Sequence, residues 1–367
     1  MNFAFRNEID VTVAVAADGT VVAVEIVPRA RPALTRLFAG KPAASLLAAL
    51  PRLFSLCSMA HQVAYLSAVE AARYEQADPG IRRRRIAAII RERFTDLLRG
   101  LFVGRFALDS DSADALREIM RLSMIPGDDA SGSRDQQSPR DVMSRIDTAL
   151  AVLGISPTEE SPAPGSALAR HIADLDESVV SPMPAEQSFL SAADDRNVVE
   201  RLLADGAAFS DAPELQGRIP ETGVWARHAL RQPVLPPYAG PAERLKARVA
   251  EVARLGAWLA AGGEDGLMES GILESYRLSS GRGAAAVECA RGRLYHAVEL
   301  DRRGDIVRFE FLAPTEWNFH PAGPLVGMLQ GAVLRSGRQA EDAVRALVGS
   351  FDPCVGFNLG LREPANA

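Results

Sequence analysis

The sequence predicts a predominantly helical α+β fold with short β hairpins, and three features of its 367 residues carry that reading. Apolar residues recur at three- and four-residue spacing through Leu46–Tyr74 and Arg84–Leu101, the period of core helices with one wet face. Ile9–Val27 alternates polar and apolar residues around Asp18-Gly19, and Ala285–Leu312 does so around Arg302-Arg303-Gly304-Asp305, the period of strands joined by tight turns. A hydrophobic content of 47% over this length is enough to bury a large core.

In chain order, the Ile9–Val27 hairpin and the two long helical segments make a first half, residues 1–125. Residues 126–196 read as a linker-rich insertion. Its Pro126–Ser166 stretch contains Gly127-Asp128-Asp129, Ser131-Gly132-Ser133 and Pro157 through Pro164-Gly165, interrupted by one short helix at Val142–Leu153. Its Ser, Pro and Asp content fits a disordered linker and a partner-docking loop equally. In residues 197–367 helical periodicity returns at Val198–Leu203 and Ala242–Ala261. The strand-like Ala285–Leu312 follows, and a last helix at Gln339–Val348 leads into Asp352-Pro353-Cys354. The three segments read as one composite domain.

A formal charge of −6 offers no general field for nucleic acid, and the local run Arg82–Arg85 reads as a solvated helix start rather than a binding patch. The most apolar region, Leu46–Ala72, is broken by Pro51, Arg52, His61, Gln62 and Glu70, short of the ~18–20 apolar residues of a bilayer span. Met1–Asp10 has no basic segment followed by an apolar run, so a cytoplasmic location is expected. Three cysteines, Cys57, Cys289 and Cys354, fit a reducing compartment in which thiols stay free or bind metal.

Two of those cysteines sit in short motifs. Cys57 and His61 are four residues apart, so on a helix they share a face, where the imidazole either supports a thiolate ligand or is simply a satisfied histidine beside a buried cysteine. In Asp352-Pro353-Cys354, Pro353 biases Asp352 away from helix, so Cys354 projects from a defined turn, as a ligand or as a packed apolar group.

Several segments, in order, resemble the large subunit of nickel–iron hydrogenases over most of the chain. Pro51–His61 resembles the family's Arg-x-Cys-Gly-x-Cys-x-x-x-His motif, with Arg52, Cys57 and His61 kept, Phe54 in place of the first cysteine and Ser55 in place of glycine. Pro220-Glu221-Thr222-Gly223 with Arg227 resembles a mid-chain segment. Glu288-Cys289-Ala290-Arg291-Gly292 resembles the segment whose arginine lies over the metal centre, and Pro314-Thr315-Glu316-Trp317-Asn318 the one whose Ser or Thr contacts a cyanide on iron. Asp352–Gly360 resembles the family's C-terminal Asp-Pro-Cys-x-x-Cys-x-x-His, with Phe357 for its second cysteine and Gly360 for its histidine.

The resemblance, with half of the cysteines gone, implies no nickel and no hydrogen turnover, because nickel would lack its soft tetrathiolate shell. It also implies no C-terminal proteolytic processing. A shortened, cysteine-depleted large-subunit-like chain resembles the HupK/HoxV group of hydrogenase maturation proteins. That implies a non-enzymatic scaffold carrying or assembling an Fe(CN)2(CO) group for a hydrogenase large-subunit precursor, working with a HypC-type chaperone and a HypD-type iron–sulfur assembly protein. The implied iron ligands are Cys57 and Cys354, with His61 as an outer donor and Arg291 and Thr315 holding the diatomic ligands. Asp352 either pairs with Arg291 or orders the Cys354 turn. Cys289, where the family has another residue, reads as packing. A metal-free structural or regulatory partner and a thiolate-based redox enzyme using Cys57 are the rival readings.

Overall fold

The computed structural model describes residues 8–104, 107–123, 139–156, 158–177, 187–232, 239–261, 271–334 and 337–364. The predicted N-terminal hairpin forms as β1 (Glu8–Val15) and β2 (Val21–Val27), turning at Gly19, whose φ of 88° suits glycine. Asp18 supports the turn by accepting from the Thr20 amide at 2.9 Å. Alternation buries Ile9, Val11 and Val13 on one face. The far end of the chain completes this sheet, because β9 (Gly356–Arg362) pairs parallel to β1.

After α1 (Leu34–Phe38), the segment Leu46–Tyr74 is not one helical run. It splits into α2 (Ala43–Leu53) and α3 (Ser58–Ala72), with Pro51 in the last turn of α2 and Cys57 in the left-handed region (φ 56°) between them. Next comes α4 (Pro79–Phe102), which starts earlier than its apolar period shows because Asp78 caps it and Pro79 occupies its first turn. Arg82–Arg85 lie in its first turns as expected. Arg85 reaches back to Glu70 at 2.6 Å, and Arg82 donates to the Leu273 carbonyl at 2.6 Å.

Helices α5 (Ser110–Ser123), α6 (Pro139–Val152) and α7 (Ala167–Glu177) pack with α4 around the largest core. In that core Ile86, Ile89, Ile90, Phe94, Leu97 and Leu101 of α4 are fully buried, each worth about 1.5–3 kcal/mol on transfer from water. The Gly127-Asp128-Asp129 and Ser131-Gly132-Ser133 segments and Pro157 lie outside the described residues. The described part of the predicted insertion carries more order than its composition indicates. Besides α6 it contains the short ladder β3 (Ile155–Ser156) and β4 (Ser161–Pro162) and all of α7, because Ile146, Leu150, Ile155, Leu168 and Ile172 enter the core.

Helices α8 (Asp195–Ala204), α9 (Ala207–Asp211), α10 (Val224–Arg231) and α11 (Pro241–Ala260) precede a four-stranded antiparallel meander. Its strands are β5 (Leu273–Ser279), β6 (Arg282–Cys289), β7 (Gly292–Leu300) and β8 (Ile306–Leu312). Ala285–Leu312 therefore holds two turns: the expected one at Arg302–Asp305, and a two-residue corner, Ala290-Arg291, joining β6 to β7 with Cys289 opposite Gly292. Helix α3 lies on this sheet through alanines on both sides. At Gly283 the approach is so close that a Cβ would fall 2.3 Å from both the Ala68 oxygen and the Ala72 nitrogen. Then come α12 (Pro314–Asn318), α13 (Pro324–Leu329) and α14 (Arg338–Ser350), the last as predicted, and the chain returns to β9.

Candidate metal centre

Four connections converge on one cavity of about 60 Å³: the α2–α3 link, the β6–β7 corner, the start of α12 and the turn before β9. That is several times the ~10–15 Å³ needed for one water. Cys57, Cys289 and Cys354 all line it, as do Arg291, His61, Phe54 and Arg29, so every cysteine of the chain faces the same space.

Cys57 stands immediately before α3, not on it. Its backbone has the left-handed conformation that non-glycine residues adopt at a cost of about 1–3 kcal/mol. The expected shared helix face of Cys57 and His61 is therefore replaced by a corner, in which the His61 amide donates to the Cys57 carbonyl at 3.0 Å. Glu92 on α4 holds the start of α3, accepting from the amides of Met59 (2.6 Å) and Ala60 (2.8 Å). The Cys57 sulfur receives Arg291 Nη1 at 3.2 Å and donates to Asp96 Oδ2 at 3.6 Å.

Arg291 projects from the β6–β7 corner, which is fixed from behind. Arg227 donates to the carbonyls of Cys289 (3.2 Å) and Ala290 (3.0 Å) and to Glu288 (2.6 Å), and is itself anchored on Glu251. Glycine is required next to it: at Gly292 (φ 131°) a Cβ would lie 2.4 Å from Thr222 Oγ1. The mid-chain segment Glu221-Thr222-Gly223 thus buttresses the corner, and Thr222 Oγ1 accepts the Arg293 amide at 3.0 Å. Arg291 Nη1 also reaches Asp96 Oδ2 at 3.1 Å, and Nε lies 3.5 Å from Asp352 Oδ2. Burial opposes its charge, but Asp352, Cys57, Asp96 and Cys354 outweigh that and hold its pKa well above the ordinary guanidinium value. Asp352 fills both roles expected of it, since it pairs with Arg291 and turns the chain with a φ of 54°.

Thr315 and Cys354 meet as a pair, Oγ1 to Sγ at 3.0 Å, and Thr315 Oγ1 also accepts the Cys354 amide at 3.4 Å. Beside them Arg29 is locked onto Glu316 at 3.0 Å. His61 does not touch the Cys57 sulfur as its spacing predicts. Its ring stacks on Phe54, with centroids 3.7 Å apart, and its Nδ1 meets His296 Nε2 at 2.9 Å. Burial keeps both imidazoles neutral, His61 well below its usual pKa and His296 at about 3. Phe357 packs toward the β1/α14 core rather than into the cavity, and Arg52 is exposed, outside the site.

Sequence reasoning gives Cys289 a packing role and no place at the site. It is buried and packed, as read, and it also lines the cavity together with Cys57. Coupling between the two buried thiols lowers the Cys289 pKa and raises that of Cys57, on which burial acts in the same direction. The available signal was its position two residues before Arg291. Arg29, Asp96 and His296 carry no local motif, and only the fold brings them in. Among the described residues, no three His, Cys, Asp or Glu side chains form a ready-made cage for a metal ion. A metal held here would have to bring ligands of its own.

Comparison with solved structures defines the class first: the chain has the fold of a nickel–iron hydrogenase large subunit. It aligns with an NAD+-reducing NiFe hydrogenase in its H2-reduced state (TM-score 0.59, 16% identity, 93% of this chain and 94% of that one). It also aligns with the Ni-Fe-Se hydrogenase of D. vulgaris Hildenborough (TM-score 0.54, 13% identity, 93% and 96%). No family profile matches the sequence. Full-length relatives do: the hydrogenase expression/formation protein HupK of Bradyrhizobium diazoefficiens is 59% identical over all of both chains, and HupK of Rhizobium leguminosarum is 35% identical over 98% and 97%. The HoxV protein of Cupriavidus necator is 29% identical over 91% of this chain and 92% of its own. The chain belongs to the HupK family of hydrogenase expression/formation proteins. No helix among the described residues is long and apolar enough to cross a membrane.

Proposed function

We propose that this protein acts in hydrogenase maturation as a scaffold that carries or assembles an Fe(CN)2(CO) group for the large-subunit precursor, without itself being an enzyme. The observation that carries this reading is the gathering of all three cysteines and Arg291 around one small cavity in a hydrogenase-like fold. The donor set fits such a cargo. Iron bearing three diatomic ligands needs only a few thiolates from the protein, and Cys57 and Cys354 would supply them. The diatomics accept hydrogen bonds, and the Arg291 guanidinium, buried in the cavity wall, carries N–H donors for them. Thr315, already at the Cys354 sulfur, would be the second donor, Asp352 would hold Arg291 in place, and His61, paired with His296, would wall the pocket.

Nickel has no comparable site, since Phe54 and Phe357 bring no sulfur. An iron group held by so few protein ligands would also leave more readily than from four thiolates, which suits a carrier. A HypC-type chaperone and a HypD-type iron–sulfur assembly protein would supply the group, and the precursor would receive it. The test is infrared spectroscopy of protein purified anaerobically from cells expressing the maturation machinery. Wild type is expected to show cyanide and carbonyl bands that vanish in Cys57→Ala and Cys354→Ala. Wild-type protein free of both bands and iron would leave a metal-free structural partner as the better account.

A further inference from the structure

We propose that Cys289 is a third thiolate ligand, forming with Cys57 a two-sulfur clamp on the iron that the cavity takes up; this rests on the carrier reading above. The two sulfurs come from opposite sides of one corner. Cys57 is delivered by the strained link ahead of α3, and Cys289 by the last residue of β6, both against the same core and both facing the cavity. Arg291 stands beside the pair: its Nη1 donates to the Cys57 sulfur at 3.2 Å, and it follows Cys289 by two residues in the β6–β7 corner that lines the same cavity. A buried cation thus lies at the Cys57 sulfur and in the same cavity wall as Cys289, an electropositive setting suited to sulfur ligands.

The Cys289 backbone cannot drift, because its carbonyl is held by Arg227, which Glu251 anchors in turn. Cys354 pairs with Thr315 and lines the same cavity, so the space presents three sulfurs.

The experiment is anaerobic titration of the full chain with Co2+, a stand-in for Fe2+ whose thiolate charge-transfer absorption reports sulfur bonding directly. Wild type is compared with Cys57→Ala, Cys289→Ala and Cys289→Val, the last keeping the packed volume without sulfur. Both Cys289 variants are expected to bind at least ~10-fold more weakly with a diminished charge-transfer band, the loss typical when support for a metal ligand is removed. Their far-ultraviolet circular dichroism should match wild type. Unchanged affinity and band in Cys289→Val, or no cobalt uptake by wild type, would overturn the assignment. The two readings separate cleanly. Infrared bands that persist in Cys289→Val but vanish in Cys57→Ala leave the carrier standing and remove Cys289, whereas bands missing from wild type remove the carrier and leave the cobalt titration to decide Cys289.

Discussion

Asp195→Ala is expected to destabilise the protein by about 3–5 kcal/mol, the cost of breaking a buried ion pair and stranding its partner. Asp195 opens α8 and is completely buried. The Arg293 guanidinium of β7 grips both of its carboxylate oxygens, while Tyr276 donates at 2.6 Å and Tyr295 at 3.0 Å. Removing the carboxylate takes the acceptor from the buried Tyr295 and the half-buried Tyr276 and strips the buried Arg293 guanidinium of its bidentate partner, leaving it the Gly271 carbonyl at 2.8 Å and Glu288 at 3.3 Å, between the meander and the helix packed on it. The loss exceeds that of an ordinary core truncation because cavity and unpaired charge act together. Urea unfolding checks it: the midpoint should fall with an unchanged slope. A midpoint within experimental error of wild type would show that Asp195 is not the hub that its contacts describe.

Glu251→Gln should also cost about 3–5 kcal/mol at neutral pH, and it adds a pH signature. Glu251 on α11 is 1% exposed and accepts from Arg93 at 2.6 Å and from Arg227 at 2.7 and 3.0 Å. Burial opposes its charge, yet Arg227 and Arg93 prevail and hold the carboxyl far below the usual range. A depressed folded pKa means that the unfolded chain binds the proton first as the pH falls. The stabilisation is therefore complete above the unfolded value of about 4.3 and drains away below it. Between about pH 5 and pH 2 wild type should lose stability more steeply than Glu251→Gln, so that their curves converge on acidification. Parallel curves would mean that Glu251 does not carry this linkage. Arg227 also pins the corner that presents Cys289 and Arg291, so the same variant is expected to loosen the site it lies behind.

The parts of the fold legible in the sequence were those with a local period. The Asp18-Gly19 hairpin, the α4 segment, the last helix and the turn at Arg302–Asp305 all follow from spacing and turn chemistry. What was hidden is non-local. Nothing near Gly356 signals that β9 returns to pair with β1, because parallel pairing joins residues some 350 apart in the chain. The split at Phe54–Cys57 was masked by apolar residues on both sides of Pro51, and α7 by the polar composition around it. At the site, Cys57, Cys354, Arg291, Thr315 and Asp352 were readable through motif resemblance. Cys289 was visible but assigned to packing, and Asp96, Arg29 and His296 reach the site only through the fold. For His61 the sequence left two readings open, support of a thiolate site or a satisfied histidine; the fold pairs it with His296, and Cys57 lies ahead of the helix rather than on it.

The most direct test of the carrier reading is a transfer experiment. Protein isolated anaerobically with isotopically labelled iron is mixed with unlabelled, iron-free hydrogenase large-subunit precursor, the two are separated, and the label and the infrared bands are followed in each. The account predicts that iron and its cyanide and carbonyl bands leave this protein together and appear in the precursor, and that Cys57→Ala protein delivers neither. Labelled iron that stays with this protein, or a precursor that gains neither label nor bands, would contradict it.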